Sequence, residues 1–380
     1  MNLRSLVNIK YKHLCISNFN TGAELNQVIG TNTNLIIELQ GESVLTLTVK
    51  QVRRSNFKLV LFQTTASNRK WHLITLNSME HTRNTFSARS KRSVQKSSTY
   101  GLSVTIRCFS IFFGAFFFVG QLYSRSVLWI VLAPIVFGIG GYRLQFVLHD
   151  TSHYSLFKSK FTNKSVGVLA GLLVGVDFRR YRFTHMWHHR RNGEDSDPQF
   201  PDYLGSNQIS RKSFLWFIAS PLLGSRAIPY LKREMTDRKI DGNEAPKTSA
   251  IWWLAFFSFQ ASLAYLIWFQ TKRIETLFLF YIGLATVSLF LARIRTLAEH
   301  QQISRTVVDF SRSHSWNFFD WLFLYDANFN LHLEHHLYPN LQTCELKKVA
   351  VDLQKSNDLY VPPSKSMVGT IVAMYSAIEK

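Results

Sequence analysis

Four apolar runs, arranged as two close pairs, constrain this chain more than any other feature in it. TIRCFSIFFGAFFFVGQLY (Thr105–Tyr123) is followed after Ser124–Ser126 by VLWIVLAPIVFGIGGYRLQFVL (Val127–Leu148). IWWLAFFSFQASLAYLIWFQ (Ile251–Gln270) is followed after Thr271–Glu275 by TLFLFYIGLATVSLFLA (Thr276–Ala292). At helical rise each run is long enough, or nearly so, to cross a hydrocarbon core of about 30 Å. Buried helices of a large soluble core seldom come back to back across such short polar breaks, so each pair reads as a transmembrane hairpin. Two shorter runs, SVGVLAGLLVGV from Ser165 and SFLWFIASPLLG from Ser213, are too short to span and read as interfacial or re-entrant helices.

Two hairpins place everything except their tight turns on one side of the membrane. The formal net charge of +20 says which side. Its lysines and arginines flank the apolar pairs, in SARSKRSVQK before the first and FRRYRFTHMWHHRR after it. That is the basic excess of cytoplasmic segments, with anionic headgroups as the partner. Both termini and the catalytic face are therefore expected in the cytosol. A nucleic-acid partner is excluded, because the basic segments lack interleaved base-stacking aromatics on a soluble fold. Cys15, Cys108 and Cys344 are far apart and form neither a disulfide framework nor a cysteine metal site. Residues 1–99 read as an extension rich in Ser, Thr and Asn, with brief strand-like patches such as SVLTLTVK near Val44. They form a leader or small soluble domain, or precede a true start at Met79. Residues 100–353 form the membrane domain and residues 354–380 a cytosolic tail.

Histidines gather where the hairpins end. HDTSH carries His149 and His153, HMWHH carries His185, His188 and His189, and HLEHH carries His332, His335 and His336, so three tight groups hold eight of the thirteen histidines. An even number of crossings separates the groups, so all can converge on one side, as metal ligands must. On a helix His149 and His153 share a face, about 6 Å apart. In each triplet the first histidine shares a face with both others, while the last two diverge, so one triplet can serve two ions. Two plus three plus three imidazoles exceed what one zinc uses, which points to two metals. His300, in RTLAEHQQ beyond the fourth run, is a ninth candidate. Imidazole suits iron, copper, zinc and nickel alike; a site beside lipid favours oxygen-activating iron, able to attack unactivated C–H bonds. Asp150, Asp197, Glu299 and Glu334 are the carboxylates expected to orient the imidazoles. The expected fold is an all-α membrane protein, with four transmembrane helices in two hairpins and a cytosolic helical cap holding a histidine-rich di-metal site. A membrane metal transporter fits poorly, since its ionisable residues belong at midplane depth and these lie outside the runs.

The order HDTSH, HMWHH, EH and HLEHH around two apolar hairpins, with NGEDSDPQF and HHLYPNL beside them, resembles the histidine boxes of the membrane fatty acid desaturase superfamily. That superfamily also holds lipid hydroxylases and carotenoid ketolases and hydroxylases. The resemblance covers about Tyr100 to Leu353, and the joint spacing is far more specific than any one box. It implies a non-haem di-iron centre, two iron ions held by the nine histidines, using O2 and two electrons supplied from outside, with no catalytic residue beyond the metal ligands. The expected reaction is insertion of a double bond into the acyl chain of a membrane lipid or acyl carrier, with hydroxylation or ketolation of a lipid or carotenoid as the alternative. The chain departs from one branch of the family. It has no HPGG stretch, and its third box opens on His332 instead of glutamine, so a separate ferredoxin or cytochrome b5 is the expected electron donor.

Overall fold

In the computed structural model the chain divides into two compact units, Met1–Arg92 and Ser93–Lys380. The structure describes the backbone of the first unit at 33–38, 44–53, 56–65 and 68–75. In the second it describes residues 96–378, apart from 124–126, 193–195, 200–209, 236–238, 241, 302–310, 357–359 and 361.

In the first unit the described segments are four strands, β1 (Thr33–Glu38), β2 (Val44–Arg53), β3 (Asn56–Thr65) and β4 (Asn68–Thr75), paired antiparallel in sequence order. The patch at Val44 is β2, whose alternating Leu, Thr and Val residues suit a pleated strand; Leu47 stands opposite Leu35 on one side and Leu61 on the other. The sheet adds to the helical expectation an element that the sequence signalled only as brief strand-like patches. The expectations of a leader and of a start at Met79 lie outside the described residues.

The second unit is helical and carries the four spans. They are α1 (Ser98–Tyr123), α2 (Trp129–Ser152), α7 (Ala250–Thr271) and a fourth that runs from α8 (Glu275–Gly283) through a π-helical turn at Leu284–Ser288 into α9 (Leu289–His300). Among the described residues these are four helices long and apolar enough to cross a membrane. They outrun the apolar stretches, because an apolar run marks the length facing lipid while the helix continues into the cap. So α2 ends beyond His149 and α9 ends on His300.

The spans meet around Phe112, Phe116, Phe137 and Phe280, with ring centroids 4.8 Å apart for Phe116 and Phe137 and 5.5 Å for Phe137 and Phe280. Glycine permits this closeness. A Cβ on Gly138 would lie 2.6 Å from the Gly283 carbonyl, and one on Gly283 would lie 2.4 Å from the Pro134 carbonyl. Small residues let helices of this kind approach backbone to backbone where lipid supplies no hydrophobic drive.

Between the hairpins, α3 (Lys160–Val174) ends at Gly175 in the left-handed region (φ 76°) and bends by 103° into α4 (Phe178–Arg191), which is capped by the Asp177 side chain. Then come α5 (Arg211–Ala219), with Leu215 and Trp216 exposed, and α6 (Ala227–Met235). Both short apolar runs thus occupy short or bent helices, as an interfacial or re-entrant role requires. After the fourth span the chain forms α10 (Phe318–Phe323), α11 (His332–Leu337), α12 (Leu346–Ser356) and α13 (Met367–Ala377). The stretch read as a tail therefore carries a helix, α13, whose Met367 and Ile371 pack with Tyr142, Leu291 and Tyr325.

Candidate metal centre

Four elements carry the nine histidines to one place. His149 and His153 stand at the end of α2, His185, His188 and His189 on the second half of α4, His300 at the end of α9, and His332, His335 and His336 on α11. The 103° bend after α3 turns α4 back toward the ends of α2 and α9. Phe329, packed 4.9 Å from the His149 ring, seats the chain just ahead of α11.

The imidazoles sort into two groups. In the first, His149, His153, His185, His189 and His335 each place a ring nitrogen within 4.8 Å of the others. Nε2 of His185 lies 2.9 Å from that of His153 and 3.2 Å from that of His189, and Nε2 of His335 lies 3.3 Å from that of His189. In the second, Nε2 of His332 lies 2.9 Å from that of His300 and 3.1 Å from that of His336. His188 closes this group, with its ring 4.7 Å from His300 and 5.0 Å from His336. Each triplet splits alike. His185 and His189 go to the first group and His188 to the second, while His332 and His336 go to the second and His335 to the first. The eight clustered histidines thus fall five and three, and His300 brings the second group to four.

The donor chemistry fits metal ions. Neutral imidazoles carry one N–H each, and five nitrogens turned on one point cannot all be satisfied by one another. His149 Nε2 is buried within the first group without a hydrogen-bond partner among the described residues, as an unfilled ligand nitrogen would be. Burial holds the pKa values of His153, His185, His189, His332 and His336 well below the ordinary imidazole value, and neighbouring imidazoles press the same way. His335, buried beside Arg295 and His188, is pushed down to about 3. At neutral pH these rings are unprotonated, the form that binds metal.

The four expected carboxylates take different places. Asp197 sets both oxygens 3.0 Å from His188 Nδ1, which fixes the proton there and turns the Nε2 lone pair to the site. Asp150 lies 3.2 Å from His149 Nδ1. Glu299, expected to steady an imidazole from behind, is instead among the nitrogens. It accepts from Arg295 Nε at 2.7 Å and sets its other oxygen 3.5 Å from His332 Nε2, because α9 delivers it beside His300. Glu334 corrects the expectation further. The turn of α11 that aims His332 and His336 at the site turns Glu334 away from it, where the buried carboxylate accepts from the hydroxyls of Ser313 and Tyr360.

Other residues of the site went unsingled in the sequence. Arg295, four before Glu299, had the spacing of a helical ion pair as its signal. Asn192 reaches His336 Nδ1 at 3.4 Å and Ser311 Oγ at 2.8 Å, with no such signal. His314 stands apart from both groups, between Ala298 O (3.2 Å) and Thr370 Oγ1 (3.3 Å).

A cavity of about 770 Å³ opens from the histidines into the membrane region. His149, His185, His188, His300 and His332 are among its lining residues, as are Trp252, Phe256 and Gln260 of α7 and Tyr281 of the fourth span. One wall is a stripe along the fourth span, through Ala292, Leu289, Ser288, Ala285 and Tyr281, and includes part of its π turn. Such turns recur at functional sites. In the middle of α7, Gln260 donates to Leu172 O at 2.7 Å and accepts from Tyr281 at 2.8 Å, which satisfies a carbonyl left free at the end of α3.

A family model described as fatty acid desaturase matches residues 126–363. Among curated proteins, Delta(8)-fatty-acid desaturase 1 of Arabidopsis thaliana is 24% identical over 314 residues, 69% of this chain and 66% of that protein. Delta(8)-fatty-acid desaturase of Helianthus annuus is 31% identical over 98 residues, 25% of this chain and 21% of that protein. The chain thus spans just under two thirds of the first relative and about a fifth of the second.

Proposed function

Because this chain belongs to the fatty acid desaturase family, we propose that it inserts a double bond into the fatty acyl chain of a membrane lipid or acyl carrier, holding two iron ions on its nine histidines. Two hydrogens leave adjacent methylenes; together with two electrons and two protons from a separate ferredoxin or cytochrome b5 system, they reduce one O2 to two waters. The observation that carries this reading is the cavity. From His300 to Tyr281 its wall runs about 28 Å at helical rise, a length comparable to a hydrocarbon core, and its lining of Leu148, Leu173, Val176, Trp252 and Phe256 suits a long apolar chain.

Bound iron supplies, with O2 and the donated electrons, an oxidant strong enough for an unactivated C–H bond. The rest is the work of the protein. His149, His153, His185, His189 and His335 hold one ion; His188, His300, His332 and His336, with Glu299 beside them, hold the other. Asp197 keeps the proton on Nδ1 of His188. The apolar walls hold one methylene pair near the histidines and exclude competing water, and the Gln260–Tyr281 pair lines the same cavity.

The basic flanks support a cytosolic histidine-bearing face with both termini on that side. The same reading makes residues 100–353 the catalytic part, so a chain starting at Met79 keeps its activity. Lipid and pigment profiling of a host expressing the chain tests the proposal. The expected product has lost two hydrogens; a product that has instead gained one oxygen overturns desaturation in favour of hydroxylation.

A further inference from the structure

The segment SWNFFDWLFLYD, Ser315–Asp326, lies between the fourth span and α11 and contains the short helix α10. Its outer face is unlike that of the neighbouring cap. Trp316 and Phe319 are 64% and 66% exposed, and Phe318, Leu322 and Phe323 are exposed beside them. By contrast, α12 turns Lys347 and Lys348 outward.

Its inner face is held by side chains of two spans. Arg143 of α2 donates through Nη1 to Tyr325 O at 2.8 Å and through Nη2 to Trp321 O at 2.8 Å and to Leu322 O. Tyr142 donates to Leu324 O at 2.7 Å. Arg107 of α1 grips the Asp326 carboxylate, with Nε at 3.0 and 3.1 Å and Nη2 at 2.5 Å. Asp320, fully buried, accepts from Met367 N at 2.6 Å and so ties the segment to the start of α13.

Depth decides what this means. Arg107 stands nine residues along α1 from Ser98, and Arg143 nine residues before the end of α2 at Ser152. Counted from the histidine-side ends of the apolar runs at Thr105 and Leu148, Arg107 lies two and Arg143 five residues inside, about 3 and 8 Å at helical rise. Leu102 and Ile106, on the stretch of α1 leading to Arg107, are exposed apolar residues of a span, so lipid already reaches this level. Backbone carbonyls there find no water and must be satisfied by protein. Arg143 and Tyr142 do this for the end of α10, while Arg107 neutralises the Asp326 carboxylate, so the segment accounts for two charges inside apolar spans that otherwise stand as unexplained costs.

We propose that Trp316–Asp326 is a wedge inserted into the leaflet on the histidine side, with Trp316, Phe318, Phe319, Leu322 and Phe323 in contact with lipid. The occupant of the exposed face is the bilayer itself, continuous with the lipid around α1; the exposed Val368 and Val372 of α13 prolong the same face. The wedge ends three residues before Phe329, which packs on His149, so its insertion depth also sets the height of α11 above the membrane.

The test uses the full chain in lipid nanodiscs, with Cys15 and Cys344 changed to serine and the buried Cys108 retained. A bimane fluorophore is placed at Phe319→Cys, and separately at Lys348→Cys as a control on the cap. Lipid carrying a doxyl quencher just below the headgroup should quench the Phe319→Cys label roughly twofold or more strongly than the Lys348→Cys label, while aqueous iodide should quench the Lys348→Cys label more. Iodide reaching both labels equally would place the segment in water and overturn the proposal. Protection of the Phe319→Cys label from both quenchers would show a protein cover, such as a second copy of this chain, and would overturn it too. Trp316→Cys repeats the measurement at a second exposed position should the first variant express poorly.

Discussion

The two imidazole groups lie side by side, yet they are built unequally. The first draws its five nitrogens from α2, α4 and α11 alone, all from the three tight sequence clusters. The second takes one histidine from α4 and two from α11, and reaches four only through His300, delivered by the fourth span together with Glu299. The first group therefore has a nitrogen to spare, with two of its five from the second span, whereas the second reaches four only through one residue of the fourth span. Both groups are thus tied to the bundle, the first by the end of α2 and the second by the end of α9.

The most damaging single change should fall on the poorer group. His300→Ala is expected to leave about one iron per chain instead of two and to bring product below detection, with membrane insertion unchanged. A purified variant that keeps two irons and near-normal turnover would show that three histidines suffice there, and the inequality would disappear. Asp197→Asn keeps the shape but weakens the hold on the His188 tautomer, and should lower activity about 10- to 100-fold with a measurable remainder. The richer group should be more forgiving. His149→Ala leaves four imidazoles, enough for one ion, so iron content should stay near two and activity fall less than in His300→Ala. Iron analysis of this variant beside His300→Ala is the direct comparison; equal losses would break it.

The smallest effect concerns the support of the second group. His314, between Ala298 O and Thr370 Oγ1, has its pKa lowered by burial, with Arg312 adding to it, to about 4. A lowered histidine pKa means that the unfolded chain takes up the proton first. Its contribution to stability is therefore complete above the ordinary value near 6.5 and is lost as pH falls toward 4. His314→Gln, which cannot titrate, should flatten part of the fall in Tm between about pH 6.5 and 4 while changing iron content little at neutral pH. An unchanged acid slope would assign that fall to other groups.

Arg107 and Arg143 carry a lesson about reading charges in apolar runs. Both were visible in the sequence as interruptions of TIRCFSIFF and GYRLQFVL, and an ionisable residue in a span is a functional signal by default. What they serve was not visible, because their partners are carbonyls and a carboxylate some 180 to 220 positions away in the chain. Glu334 shows the reverse. Its place between three histidines suggested a role on an imidazole, yet one turn of α11 sends it to Ser313 and Tyr360.

The sequence by itself determined the pairing of the spans, the meeting of the clusters at one end of the bundle, and the closeness of histidines spaced four apart. These depend on run length and helical period, which are local properties. Only the tertiary structure decided that each triplet splits, that the split is five and four, and that Glu299 faces the nitrogens. A triplet at i, i+3 and i+4 presents two diverging directions, and which one meets which ion depends on the rotation of α4 and α11 against α2 and α9. That rotation is set by the bend at Gly175, the seat of Phe329 on His149 and the close packing of Gly138 against Gly283. The physical reason is that helix phase is fixed by long-range packing, and no local run of residues encodes it.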